Sequence, residues 1–331
     1  MCVNSVGAVL QTGTGETEIV ARLLVDQDKV KTIIQQIICL EAWRMEILPR
    51  LLRMKNPKSS FPIYSVLFQE ACSLSLLETC IFHVDVAENL EDTGTDLLDY
   101  CVRNITHLLY PIEEDHSKEQ SEKKEKEEEE EEEAGVMEEL LEQVREVRQT
   151  LGLRCLSILR YLTDHVSVLT LGVLARLVTT HDTPGLVAAA IQAQPWLRES
   201  QARREVWRDG MWQAKSEEGA VEKMEFVSWI CLYNLLSCRE IMEKYQLNDF
   251  RLSVLARVQA RLQDSVVEQL PVLSHLKTWL AQVSISRPPP AKPSLILELV
   301  PQVTTPTELL TAHQKLSDQG ESGPEVCPEL G

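Results

Sequence analysis

Hydrophobic side chains return every three or four residues along most of this chain, which is the period of a helix with a buried face. The pattern is densest from Leu153 to Trp196. Leu153, Leu156, Leu159, Leu162 and Val166 make one apolar stripe, and Cys155, Ile158 and Tyr161 make a second beside it. A helix patterned in this way is covered on two sides. Leu169, Leu171, Val173, Leu174, Leu177 and Val178 continue the pattern. Thr183-Pro184 then reads as an N-cap followed by a first-turn proline. The helix it opens, Leu186 to Gln194, stops at Pro195.

The same spacing predicts helices on both sides of this stretch. Upstream they run from Ile19 to Leu24, Val30 to Trp43, Phe61 to His83, Asp96 to Tyr110 and Met137 to Leu151. Downstream they run from Glu222 to Cys238, from an Asn248-Asp249 cap through Val258 and Leu262 to Val266, and from Pro271 to Val283. Short apolar helices joined by tight turns, none able to bury its faces alone, predict an all-α fold. The arrangement expected is an armadillo/HEAT-like helical array, an α-solenoid. A large helical bundle follows from the same pattern. One β feature interrupts it. Val206 to Trp212 alternates large apolar residues around Asp209-Gly210, which predicts a small β-hairpin.

Composition shifts divide the chain. Residues 1–18 are small and polar and read as a flexible N-terminus; their Gly13 to Glu16 lacks the Lys-Ser/Thr of a phosphate loop. Residues 19–110 form an N-terminal helical part, 111–135 an acidic low-complexity linker, and 136–286 the armadillo-like part. Residues 287–331, opening on Arg287 and three prolines, read as a Pro-rich segment and disordered tail. From 113 to 133 thirteen acids face four lysines, a net charge of −9, which is half of the whole chain's −18. Such a run is a solvated linker or a grip for a basic partner, and its glutamates suit the N-terminal extension of a helix from Met137.

Charge also limits partners. A net charge of −18 with a pI near 4.9 argues against nucleic acid and against an anionic membrane surface. No apolar run approaches the roughly 20 residues of a membrane span. Nine cysteines at scattered spacings, without CxxC pairs, read as reduced thiols of a cytosolic protein.

Candidate chemistry is thin. Cys80 and His83 are three apart on one predicted helix, as in half of a zinc site, but no second pair lies near them in sequence. A nucleophile–base pair at the same two residues is opposed by the Leu and Ile around them, which would raise the thiol pKa. His165, beside Asp164, and His181 flank the central helices without a converging metal set. No nucleophile elbow, kinase set or dinucleotide fingerprint is present. The expectation is a chain that is not an enzyme and holds no catalytic, cofactor-binding or metal residue. That leaves surfaces. Trp196, Trp207 and Trp212 are candidate partner-binding anchors, because tryptophan concentrates binding energy at interfaces. The alternative is that they pack the hairpin onto the helices.

Several blocks occur together and in order: FPIY at Phe61–Tyr64, LLETCIFH at Leu76–His83, DLLDYC at Asp96–Cys101, LSILRYLTD at Leu156–Asp164, THDTPGL at Thr180–Leu186, WICLYNLL at Trp229–Leu236 and QLPVLSHL at Gln269–Leu276. The set resembles the family of zinc finger MYND domain-containing protein 10, from about Ile19 to about Pro301. The resemblance implies a non-enzymatic, armadillo-like protein of the cytoplasm, also found at centriolar satellites and dynein assembly particles. Its implied task is preassembly of inner and outer axonemal dynein arms for motile cilia. Its implied partners are axonemal dynein chains, other assembly factors and chaperones. The family's finger uses seven cysteines and one histidine to bind two zinc ions. Here Cys327 and His313 alone follow residue 238 as a cysteine and an accompanying histidine beyond Pro301, so no zinc cofactor is expected in this chain. A general armadillo-type scaffold with another cargo, such as a nuclear or transcriptional regulator, is the second reading.

Overall fold

In the computed structural model, which describes residues 14–53, 60–111, 128–200, 203–215 and 221–286, the apolar stripes fold as helices. The first half contains α1 (Thr14–Asp26), α2 (Val30–Glu46), α3 (Leu48–Arg53), α4 (Phe61–Ile81), α5 (Val84–Glu88) and α6 (Thr93–Leu109). Then come α7 (Glu128–Asp164), α8 (Leu171–Ala175) and α9 (Thr183–Ala193). Three strands follow, β1 (Leu197–Ser200), β2 (Arg203–Arg208) and β3 (Met211–Ala214). The last helices are α10 (Lys223–Ser237), α11 (Arg239–Met242), α12 (Asp249–Gln259), α13 (Asp264–Gln269) and α14 (Leu273–Ile285). The chain is mostly helical, with a small three-stranded antiparallel sheet.

The helices pack as successive pairs: α2 with α4, α6 with α7, α9 with α10, and α12 with α14. Neighbouring pairs touch through like members. α2, α6, α9 and α12 pack side by side, and so do α4, α7, α10 and α14. The doubly striped helix sits in the middle of the second rank. α7 has 37 residues, about 55 Å at 1.5 Å per residue, and α4, α6 and α10 all pack on it. Most of both predicted stripes is buried: Leu153, Cys155, Leu156, Ile158, Leu159 and Leu162 have no exposed surface, whereas Tyr161 and Val166 are half-buried. Gly152 marks the closest approach of α6. A Cβ there would stand 2.7 Å from Leu108 Cβ and 3.1 Å from the Asn104 carbonyl oxygen.

A polar cluster lies inside the first pairs. Arg44 of α2 donates from Nε to Glu70 Oε2 (2.9 Å) and from Nη2 to both Glu70 Oε1 (3.1 Å) and Asn104 Oδ1 (2.8 Å). Tyr100 donates its hydroxyl to Glu70 Oε1 at 2.9 Å. Arg103 reaches Glu41 with two donors, at 3.1 and 2.5 Å. Arg44 and Glu70 are 2% and 1% exposed, and the pair is tolerable because its charges face each other and are further hydrogen-bonded by Asn104 and Tyr100.

Local structure departs from the periodicity in three places. The apolar run from Val166 to Val178 is not one helix: a 3-10 turn at Val166–Val168 precedes α8, and Arg176–Thr180 is wound as a π-turn. The cap of α9 is Asp182, whose carboxylate accepts from Gly185 N at 3.1 Å; Thr183 is already helical. The predicted helix from Asn248 to Val266 breaks at Ala260–Gln263 into α12 and α13. The glutamate run contributes Glu128–Glu133 to α7.

Candidate functional site

The sheet forms where the hairpin was predicted. Trp207 pairs with Trp212 across β2–β3, and the turn between them places Asp209 at φ 50° and Gly210 at φ 83°. Two successive positive φ values make the tight turn that Asp-Gly favours. β1 was missed, because Leu197-Arg198-Glu199-Ser200 has a single apolar residue. It pairs Leu197 with Val206 in register. The three tryptophans are covered to different degrees. Trp196 has no exposed surface, Trp207 is 5% exposed, and Trp212 is half-buried against the core. The Trp207 and Trp212 rings meet edge-on at 5.5 Å, and Arg198 covers the Trp212 ring at 4.4 Å. Rings enclosed like those of Trp196 and Trp207 present no face to a partner.

The histidines and Cys80 are likewise engaged. Cys80 is fully buried, and burial pushes its thiol up to about 11, which leaves it protonated and unreactive near neutrality. His83 lies 3.4 Å from the Thr17 hydroxyl, and His165 Nε2 lies 3.0 Å from the Phe82 carbonyl oxygen. Asp164 takes Arg160 at 3.1 Å and Asn234 at 2.7 Å. Among the described residues no three His, Cys, Asp or Glu side chains come together as a metal set; Cys327 and His313 lie outside those residues. No described helix is long and apolar enough to cross a membrane.

Ordered polar side chains and exposed aromatics converge instead on α9. It lies between α6 and α12, and the three enclose a groove of about 450 Å³. Gly185, Leu186, Ala189 and Gln192 of α9 form the floor. Val102, Thr106 and Tyr110 line the α6 side, and Phe250, Val254 and Arg257 the α12 side. Tyr110 and Phe250 are 63% and 67% exposed.

The start of α9 is held from both walls. Asp99 of α6 accepts from Arg176 at 2.6 and 2.7 Å and sits 2.7 Å from His181 Nε2. Asp182 accepts from the Tyr245 hydroxyl at 2.8 Å and from Arg251 Nε at 2.9 Å. Burial, and next the Asp182 charge, push the Tyr245 phenol well above its ordinary value, so it stays a donor. Each carboxylate at this end of the groove therefore carries its own cation. Arg257 is exposed, with no ion pair or hydrogen bond among the described residues. Sequence periodicity could not find this groove, because it depends on which helices become neighbours. The turn Thr180–Leu186 was the one local signal.

No family model matches the chain, and no solved structure matches it. Among curated proteins it is 31% identical over 297 residues to the zinc finger MYND domain-containing protein 10 homolog of Drosophila melanogaster. The alignment covers 89% of this chain, and the chain spans 64% of that relative's length. This identity supports what the ordered blocks from Phe61 to Leu276 pointed to, a member of the family of zinc finger MYND domain-containing protein 10.

Proposed function

We propose that this chain is a non-enzymatic adaptor for cytoplasmic preassembly of axonemal dynein arms, working beside chaperones and other assembly factors. The observation that carries the proposal is the 31% identity over 89% of the chain. The dynein role comes from the resemblance of the sequence blocks to that family. Two ranks of paired helices support reading the fold as an armadillo/HEAT-like solenoid, whose usual business is holding other proteins along its length. The absence of chemistry in the candidate side chains fits a binding protein. Cys80 is a buried thiol, and His165 and His181 are tied to a carbonyl and a carboxylate.

Affinity capture of the tagged chain from ciliated cells, read by mass spectrometry, tests the proposal. Recovery of axonemal dynein heavy or intermediate chains together with assembly factors is the expected result. A reproducible set of partners that includes none of these would overturn it. Enrichment of nuclear proteins instead would assign the chain to the general-scaffold reading.

A further inference from the structure

We infer that the groove between α6, α9 and α12 is a docking site for one amphipathic helix of a partner protein, carrying a carboxylate beside its apolar stripe. The inference rests on reading the chain as a binding protein, not on the identity of its cargo.

Shape is the first argument. Gly185, Ala189 and Gln192 line the groove at helical spacing along α9; a Cβ at Gly185 would meet the capping Asp182 carboxylate at 3.0 Å, so the room between the walls is left by Ala189. Small residues on a helix face let a second helix approach closely. The rings of Tyr110 and Phe250 stand largely exposed beside this floor, as anchors for apolar side chains at i, i+4 and i+7. Apart from the Thr180–Asp182 turn at one end, the groove is walled by helices, whose backbone groups are internally paired. An extended peptide would find no strand edge there for its own N–H and C=O groups, whereas a helix brings them already satisfied. A small ligand is disfavoured because rims this exposed would leave much of it in water.

Charge selects the partner. From Thr183 to Ala193, α9 carries no charged side chain. Asp99 and Asp182 are each neutralised, by Arg176 and Arg251 respectively. Arg257 contributes a positive charge whose guanidinium forms no ion pair among the described residues. A carboxylate on the incoming helix can accept a charge-assisted hydrogen bond from that guanidinium, whereas a lysine at the same place is repelled. On a chain of net charge −18, this is a local reversal of sign.

The test uses the full chain and a fluorescein-labelled amphipathic helix with leucines at i, i+4 and i+7 and glutamates flanking them. Two control peptides carry lysines in place of the glutamates, or a central proline. Anisotropy titration should show saturable binding of the glutamate peptide, at least about tenfold weaker binding of the lysine peptide, and loss with the proline peptide. Arg257→Gln should reduce the preference for glutamate over lysine to about twofold or less. The double variant Tyr110→Ala, Phe250→Ala should weaken both peptides about tenfold or more. All three positions are exposed, so an unchanged melting temperature confirms that the variants are folded. Failure of the glutamate peptide to bind overturns the proposal. So does equal binding of the lysine or proline peptide, or affinities indifferent to the variants. Sedimentation showing self-association that Arg257→Gln abolishes would give the groove to a second copy and would also overturn it. None of these results bears on which proteins the chain captures in ciliated cells.

Discussion

Replacing Arg44 with methionine isolates the energetics of the first helix pairs. The side chain is 2% exposed and its three hydrogen bonds join α2 to α4 and α6. Its loss leaves Glu70, 1% exposed, with only the Tyr100 hydroxyl, and leaves Asn104 Oδ1 without this donor. Removing one member of a buried ion pair costs about 3–5 kcal/mol, mostly the desolvation of the charge left behind. At about 2–3 °C per kcal/mol for a chain of this size, the melting temperature should fall by about 6–15 °C. Arg239→Met is the control. That side chain and its partner Glu243 are both largely exposed, so no measurable loss is expected. Burial lowers the Arg44 pKa, but the Glu70 charge and hydrogen bond raise it by more. The folded value therefore lies above the unfolded one, and the arginine's contribution is fully present below the unfolded value. It is lost only as pH rises through the folded one, in strong alkali. The titration of the arginine itself therefore adds no pH dependence to the Arg44→Met defect between about pH 6 and about pH 8. Calorimetry of the full chain measures it. A defect no larger than that of Arg239→Met would refute the claim that this pair is desolvated and coupled.

Three further outcomes follow from the same geometry. Burial, and then the charges of Arg44 and Arg148, hold the His107 imidazole below its ordinary 6.5. Its contribution is present above 6.5 and is lost as pH falls through the folded value, so His107→Gln should flatten the dependence of melting temperature on pH below 6.5; identical slopes would contradict this. Among the described cysteines, a maleimide pulse on native protein should modify Cys39 first, with Cys238 next. Cys72, Cys80, Cys101, Cys155 and Cys231 should react only on unfolding, and early labelling of Cys80 would revive a reactive thiol there. Gly210→Ala places a side chain at φ 83° and 2.9 Å from Arg154 Nη2, and denaturant titration should find a loss of about 1–2 kcal/mol. No loss would mean that the β2–β3 turn tolerates another backbone shape.

Helix positions were legible because a buried face repeats every three or four residues, and Phe61–Ile81 begins at the residue where that spacing placed it. Ends set by tertiary contacts were not. Asp182 outcompetes Thr183 as the cap because Tyr245 and Arg251, more than sixty residues away, fix its carboxylate. The Arg44–Glu70 cluster was invisible, since an acid or a base in the middle of a helix normally signals its solvent face. The tryptophans were noticed for their residue type, yet burial of Trp196 and Trp207 depends on where the sheet lands. The groove was hidden for a related reason: Ala189 and Gln192 gain meaning only once α6 and α12 stand beside them.

The position of α7 bears on how the chain leaves the ribosome. α4 and α6 are complete once Leu109 has been added, but the helix that covers both ends at Asp164. At about 5–20 residues per second, the intervening synthesis takes about 3–10 s. During that interval the side of α6 bearing Cys101, Asn104 and Leu108 lacks the helix that Gly152 later brings against it. A protein proposed to help other chains assemble is thus itself, for several seconds of its own synthesis, a nascent chain with an uncovered apolar face.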